Sequence, residues 1–149
     1  MLMEKTWDGL PVSREKPYGA TVVVYRRVGE RYLYLILHRK HEGPDYEGDW
    51  AWGPPAGCRL PGEPIDDCAC RELWEETGLR LPLSDAGYGS EDWRVYMAEA
   101  PAGAIVTLSP EHDRYLWLPA EEAAARCLPP LVTDQIRHVA RRLEAAAPA

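Results

Sequence analysis

Two long apolar runs dominate the first third of the chain. Residues 19–27 and 31–39 are β-branched, aliphatic or aromatic at nearly every position rather than at alternate ones, and Val28-Gly29-Glu30 between them reads as a hairpin turn. Strands that are apolar on both sides need cover on both faces. The pattern therefore predicts an α/β fold whose sheet is sandwiched between helices. Residues 64–77 form the clearest helical segment of the first half: Pro64 suits a first helical position, Asp66 and Asp67 complement the N-terminal dipole, and Gly78 suits a C-terminal cap. Further strands are predicted at residues 93–98, 104–108 and 115–118, with Pro119 as a stop. Helices are predicted at 121–126 and 131–146, the second with Leu131, Ile136, Val139 and Leu143 near one stripe. Residues 41–52 mix Gly, Pro and acidic residues with Tyr46, Trp50 and Trp52, which predicts a surface loop making aromatic contacts.

Composition narrows the class. A chain of 149 residues, 46% hydrophobic and without repeat or low-complexity tract, fits a single domain over residues 1–149. Its 24 acidic residues outnumber 17 basic ones for a net charge of −7, so a nucleic-acid polymer is not expected as a partner. Small anions remain accessible if a cation reverses the local sign. The polar leader, residues 1–19, lacks the apolar core of a signal peptide, and no run reaches membrane-spanning length, so the expectation is a soluble cytoplasmic protein that does not engage membranes. Cys58, Cys68, Cys70 and Cys127 are too few for a disulfide framework and lack a zinc pattern; they read as reduced core or near-core side chains. The four histidines show no metal-ligand spacing either.

The chemistry lies on the helix at residues 64–77. Glu72, Glu75 and Glu76 stand at i, i+3 and i+4, which puts three carboxylates on one narrow face. Taken alone, such a triad reads as the solvated face of an amphipathic helix. As a group it also offers what Mg²⁺ or Mn²⁺ prefers, a hard-oxygen cluster that leaves positions for water and phosphate.

The surrounding residues bear on that choice. Gly57-Cys58-Arg59-Leu60-Pro61-Gly62-Glu63, seven further residues, and then Arg71-Glu72-Leu73-Trp74-Glu75-Glu76-Thr77-Gly78-Leu79 together resemble the Nudix box at every specified position. The resemblance implies the Nudix fold, a mixed β-sheet sandwiched between α-helices. It implies a Mg²⁺-dependent hydrolase, with Mn²⁺ as the alternative ion, that cuts a phosphoanhydride bond in a nucleotide. By the same resemblance Glu72 and Glu76 are the principal metal ligands, Glu75 assists, and the Ala56 carbonyl joins them. Arg71 orients the carboxylates, Glu63 holds the loop, and Gly57 and Gly78 shape the box.

Downstream, Glu111-His112-Asp113-Arg114-Tyr115-Leu116-Trp117 resembles the diadenosine tetraphosphate hydrolase branch, although Pro55-Ala56-Gly57-Cys58 stands where that branch has Pro-Lys-Gly-His. Glu111 is thereby implied at the metal site, and Glu75 or Glu111 as proton acceptor. Tyr115 is implied as a surface for a base, with Arg59 and Trp52 as further substrate contacts. The expected partner is a small nucleotide-like substrate: a nucleoside triphosphate, a dinucleoside polyphosphate or a sugar nucleotide such as ADP-ribose. A homodimer stays open. The competing readings are a non-catalytic nucleotide-binding sensor on the same fold, prenyl diphosphate isomerisation and RNA cap removal.

Overall fold

The computed structural model describes residues 11–146, so the first half of the polar leader lies outside the described residues. β1 (Gly19–Val28) and β2 (Arg31–Arg39) form the expected antiparallel hairpin, and Gly29 takes the left-handed conformation (φ 64°) that a tight turn requires. β3 (Trp52–Gly53) and β4 (Ala56–Cys58) follow, then α1 (Ile65–Thr77). β5 (Ser84–Gly89), β6 (Trp93–Glu99) and β7 (His112–Leu118) complete the sheet, and α2 (Ala120–Arg126) and α3 (Pro130–Ala146) close the chain. β6 runs parallel to β1 while every other pairing is antiparallel, so the sheet is mixed. Among the described residues no helix is long and apolar enough to cross a membrane.

The continuous apolar runs of β1 and β2 are explained by two cores. Val23, Tyr25, Tyr34 and Ile36 point to one face, where Ala123 and Ala124 of α2 and Ile136, Val139 and Leu143 of α3 cover them. Val22, Val24, Leu35 and Leu37 point to the other, where Cys68, Ala69 and Leu73 of α1 complete the packing. Each buried aliphatic side chain is worth about 1.5–3 kcal/mol, and both faces of the central strands draw on it.

Strand register reveals a split in this sheet. β1 and β2 pair only from Tyr25↔Tyr34 to Val28↔Arg31, near the turn. Beyond that point they diverge: β2 takes β3 as its neighbour at Leu37 and His38, and β1 takes β4 at Gly19 to Thr21. The Val22 amide donates to the Pro55 carbonyl at 2.8 Å across the gap. The loop that carries residues 54–58 is thus wedged into the sheet itself. Gly19 makes the wedge possible, since a Cβ there would meet the Gly57 carbonyl at 2.4 Å and the Trp93 ring at 2.4 Å.

Four expectations are corrected. Residues 104–108 form no strand, because β6 already has β1 on one edge and β5 on the other; the segment packs irregularly, with the Thr107 amide bonded to Thr77 at 2.8 Å. β5 was not anticipated, since Asp85, Gly87 and Gly89 are poor strand formers, and its pairing with β6 is interrupted by a bulge between Asp85 and Tyr88. In α3 the buried stripe includes Val132 and Ala140, while Leu131 is 62% exposed. Cys70 is likewise exposed, and burial pushes the Cys68 and Cys127 thiols up to about 12, so those two are inert at neutral pH. Gly19→Ala is expected to cost about 1–3 kcal/mol by overpacking the wedge, read as a lower urea midpoint; an unchanged midpoint would show that the close approach is not needed.

Candidate active site

α1 begins at Ile65 behind Pro64 and ends at Gly78, whose left-handed φ of 72° lets its amide bond the Trp74 carbonyl. Leu73, Cys68 and Ala69 anchor its inner side. One turn apart on the flank of that anchor, Glu72 and Glu76 are 8% and 4% exposed. Glu75 departs from them, with half its side chain in solvent. The helix face expected to carry three equivalent carboxylates therefore carries a buried pair and an open third.

Arg71 ties the helix to the preceding loop. Its Nε and Nη2 donate to the two oxygens of Glu63 at 2.8 and 3.0 Å, and Nη2 also donates to the Cys58 carbonyl at 2.9 Å. Nη1 turns back to Glu72 at 2.8 Å and Glu75 at 3.2 Å. Glu63 accepts from the Leu60 amide at 3.1 Å as well, closing the loop on itself. Burial pushes the Glu63 carboxyl up, but these hydrogen bonds from Arg71 and Leu60 outweigh it and hold the group below its usual range. The loop so fixed presses Gly57 onto Glu72: a Cβ at residue 57 would lie 2.1 Å from the Glu72 carboxyl carbon. Any side chain there would have to displace the Glu72 carboxylate.

The buried pair is electrostatically frustrated. Burial, then the Glu72 charge and its hydrogen bond, then Glu111, drive the Glu76 carboxyl well above its ordinary value, and Arg39 only partly opposes them. Glu72 is raised by burial too, with Glu76 and Arg71 pulling the other way. His112 lends no positive charge. Its Nε2 is 3.7 Å from Glu76, but burial and then Arg39 depress it to about 4, leaving it neutral at pH 7. Among the described residues no three His, Cys, Asp or Glu side chains close around one point by themselves. What the geometry offers is two adjacent carboxylates, with the backbone at Ala56 and Gly57 beside them and Glu111 near enough to act on Glu76. That donor set suits a hard cation that retains water and shares substrate oxygens.

The remaining candidates divide. Ala56 opens β4 opposite Thr21, next to Gly57. Glu111 immediately precedes β7, and its carbonyl accepts from the Lys40 amide at 3.0 Å. Tyr115, on β7 opposite Leu37, is 39% exposed. Two substrate contacts are corrected. Trp52 is 2% exposed in the core beneath α2 and α3, and Arg59 is 8% exposed, held by Glu15 at 3.1 Å and Ser13 at 3.4 Å under the chain before β1. Both lost their solvent face to tertiary packing that local sequence does not encode. Arg39 was missed; it is an exposed cation at the end of β2 whose charge is felt by Glu76, His112 and Cys58. The cue was an Arg-Lys pair closing a strand.

A carboxyl whose folded pKa lies above its unfolded value stabilises the fold only below the unfolded value and weakens it as pH rises through the folded one. At pH 7 without divalent ions, Glu76→Gln should therefore raise Tm by a few degrees, its amide keeping a hydrogen bond to Glu72. Calorimetry in EDTA measures this. A lower Tm for the variant would mean that the pair is not under repulsion.

Comparison with known proteins places this arrangement. The family model for the NUDIX domain matches residues 15–143. An RNA pyrophosphohydrolase of Roseobacter denitrificans is 28% identical, the match covering 53% of this chain and 66% of that protein. An octanoyltransferase of Myxococcus xanthus is also 28% identical, over 71% of this chain but only 32% of its own length. The chain thus spans a third to two thirds of these curated relatives. Among solved structures, a C. elegans Ap4A hydrolase binary complex superposes with a TM-score of 0.71 at 23% identity, covering 85% of this chain and 97% of that one. The E. coli dihydroneopterin triphosphate pyrophosphohydrolase follows with 0.66 at 23%, covering 84% and 95%. A MutT protein from Methanosarcina mazei Go1 has 0.61 at 27%, covering 89% and 99%. With the family model spanning nearly all described strands and helices and the box intact around a buried glutamate pair, the chain belongs to the NUDIX domain family.

Proposed function

We propose that this chain is a hydrolase that cuts a phosphoanhydride bond in a small nucleotide, with Mg²⁺ or Mn²⁺ held at Glu72 and Glu76. One observation carries the reading: two carboxylates are buried side by side under Gly57, an arrangement that repels itself and gains from a cation. Two pyrophosphohydrolases and an Ap4A hydrolase among the similar proteins support the reaction class. The net charge of −7 favours a small substrate over a nucleic-acid polymer.

When bound, the cation supplies a lowered pKa for water and charge neutralisation for the leaving phosphate. Glu72 and Glu76 would hold it, with Glu111 and the Ala56 carbonyl completing the oxygen set and Glu75 at its open side. Arg71 acts through others, since it fixes Glu72 and the loop in one geometry and spans carboxylates as a fork that lysine cannot reproduce. Arg39, exposed beside the pair, is placed to receive phosphate oxygens. Glu75 or Glu111 takes the proton of the attacking water; Glu75 has half its side chain in solvent and so can pass that proton on. Tyr115 offers a partly exposed ring to a base. Nucleoside triphosphates, dinucleoside polyphosphates and ADP-ribose-type molecules all fit this chemistry.

Incubating the purified protein with these nucleotides and Mg²⁺, and separating the products, should show one class consumed and EDTA abolishing turnover. Glu72→Gln and Glu76→Gln are each expected to lower kcat by roughly 100-fold or more. Saturable nucleotide binding with no product from any substrate would replace this reading with that of a sensor.

A further inference from the structure

The loop between β2 and β3 contains a residue that folding alone does not explain. Trp50 has a φ of 67°, in the left-handed region, and among the described residues no other non-glycine side chain does so. A bulky residue there is a strained outlier, where glycine, asparagine or aspartate would sit more easily. Burial does not repay that cost, for the indole is 51% exposed. The fold nevertheless holds this conformation firmly. The Trp50 amide donates to the Leu128 carbonyl at 2.7 Å, the Ala51 amide to Gly48 at 3.1 Å, and the Tyr46 hydroxyl to the Asp49 carbonyl at 3.0 Å.

Beneath the loop lies a polar cage that locks it from below. Trp52 donates its indole N–H to both Glu47 oxygens at 3.0 Å, and the guanidinium groups of Arg114 and Arg126 lie 5.2 and 5.5 Å from its ring centre. Fully buried His38 bridges Asp113 and the Tyr46 carbonyl, each at 2.8 Å. Strands β2 and β7, helix α2 and the loop are therefore clamped together around one aromatic residue, two positions from the exposed one. So much rigidity beneath a strained, half-exposed indole is expected where the indole must be presented.

Its place on the sheet says to what. At the end of β2, the Arg39 amide bonds the Ala51 carbonyl on one side, and the Lys40 amide bonds the Glu111 carbonyl on the other. Ala51, the neighbour of Trp50, is thus two strand spacings, about 10 Å, from the Glu111 backbone. Arg39, an exposed cation whose charge reaches Glu76, sits on the strand between. Trp50 thus stands next to the residue that bonds the end of β2, and a nucleotide with its phosphates at Arg39 would extend its base toward that loop.

We infer that Trp50 is a preorganised platform on which the base of the substrate stacks. The inference rests on the hydrolase reading for its phosphate end and adds a second surface, besides Tyr115, for the other end. Stacking tolerates any aromatic base, so Trp50 contributes affinity for nucleotides over bare polyphosphates rather than discrimination among bases.

Two variants separate this role from a structural one. Trp50→Gly removes the ring and relieves the strained backbone, while Trp50→Phe keeps a ring. Trp50→Gly is expected to melt no lower than the parent, yet to raise KM for the consumed nucleotide roughly tenfold or more, with kcat changed by no more than about twofold. Trp50→Phe should stay within about threefold of the parental KM. A parental KM in Trp50→Gly overturns the platform, and so does a joint fall in Tm and kcat. In parallel, adenosine 5′-monophosphate should quench tryptophan emission saturably in the parent and not in Trp50→Gly. If the parent turns over no nucleotide, the hydrolase reading fails, and this emission titration alone judges Trp50: equal quenching in both proteins, or none in either, overturns the platform.

Discussion

The site depends first on one guanidinium. Arg71 makes contacts that run both backward to Glu63 and Cys58 and forward to Glu72 and Glu75, so it joins loop and helix into one rigid body. Its planar fork can satisfy three carboxylates and a carbonyl at once, which an ammonium at the end of a flexible stem cannot. Burial lowers the pKa of Arg71, but the surrounding glutamates raise it further than burial depresses it, so its charge is assured. Without that charge, Glu63 and Glu72 would be left poorly solvated and unpaired, and the loop would have no reason to press Gly57 against Glu72.

The second constraint is the split between β1 and β2. An unbroken hairpin would pair along its full length and leave the box loop on the surface. Because the strands part after Tyr25 and Tyr34, the loop gains two strand edges to bond, at β3 and β4, and its backbone is held as firmly as a sheet. The same split sends the end of β2 between Ala51 and Glu111. Residues far apart in sequence, Arg39, Glu76 and Glu111, are thereby collected at one end of the molecule, on elements anchored in two separate cores.

What was legible in the sequence followed from local rules. The doubly buried strands showed in the unbroken apolar runs of residues 19–27 and 31–39, and α1 showed in its Pro64 start, its acidic first turn and Gly78. The pairing of Glu72 with Glu76 followed from helical spacing. Glu75 could not be separated from them by spacing alone, since its exposure depends on how far the Leu73 side of the helix sinks into the sheet. Trp52 and Arg59 were misjudged for a related reason: one is caged by Arg114 and Arg126, the other covered by Ser13 and Glu15, partners up to 74 positions away or on another element. β5 and the irregular stretch at 104–108 turned on which edges of β6 were already taken, and no window of sequence reports that.

Three local costs are gathered in this one region: a repelling glutamate pair, a neutral buried His112 and a left-handed Trp50. A domain of this size has a net stability of only about 5–15 kcal/mol, so such costs persist only where surrounding structure overdetermines them. Here that structure is identifiable: two apolar cores on opposite faces of the sheet, the Arg71 fork, and the cage around Trp52. Each supports a different cost, and each lies beside the feature it sustains rather than elsewhere in the fold. Electrostatic repulsion at the glutamates is relieved by a cation, and a strained exposed ring gains contacts from a flat ligand. On the proposed function, a metal-bound nucleotide would offset both costs at once, the cation by neutralising the glutamates and the base by stacking on the ring that the strained backbone presents.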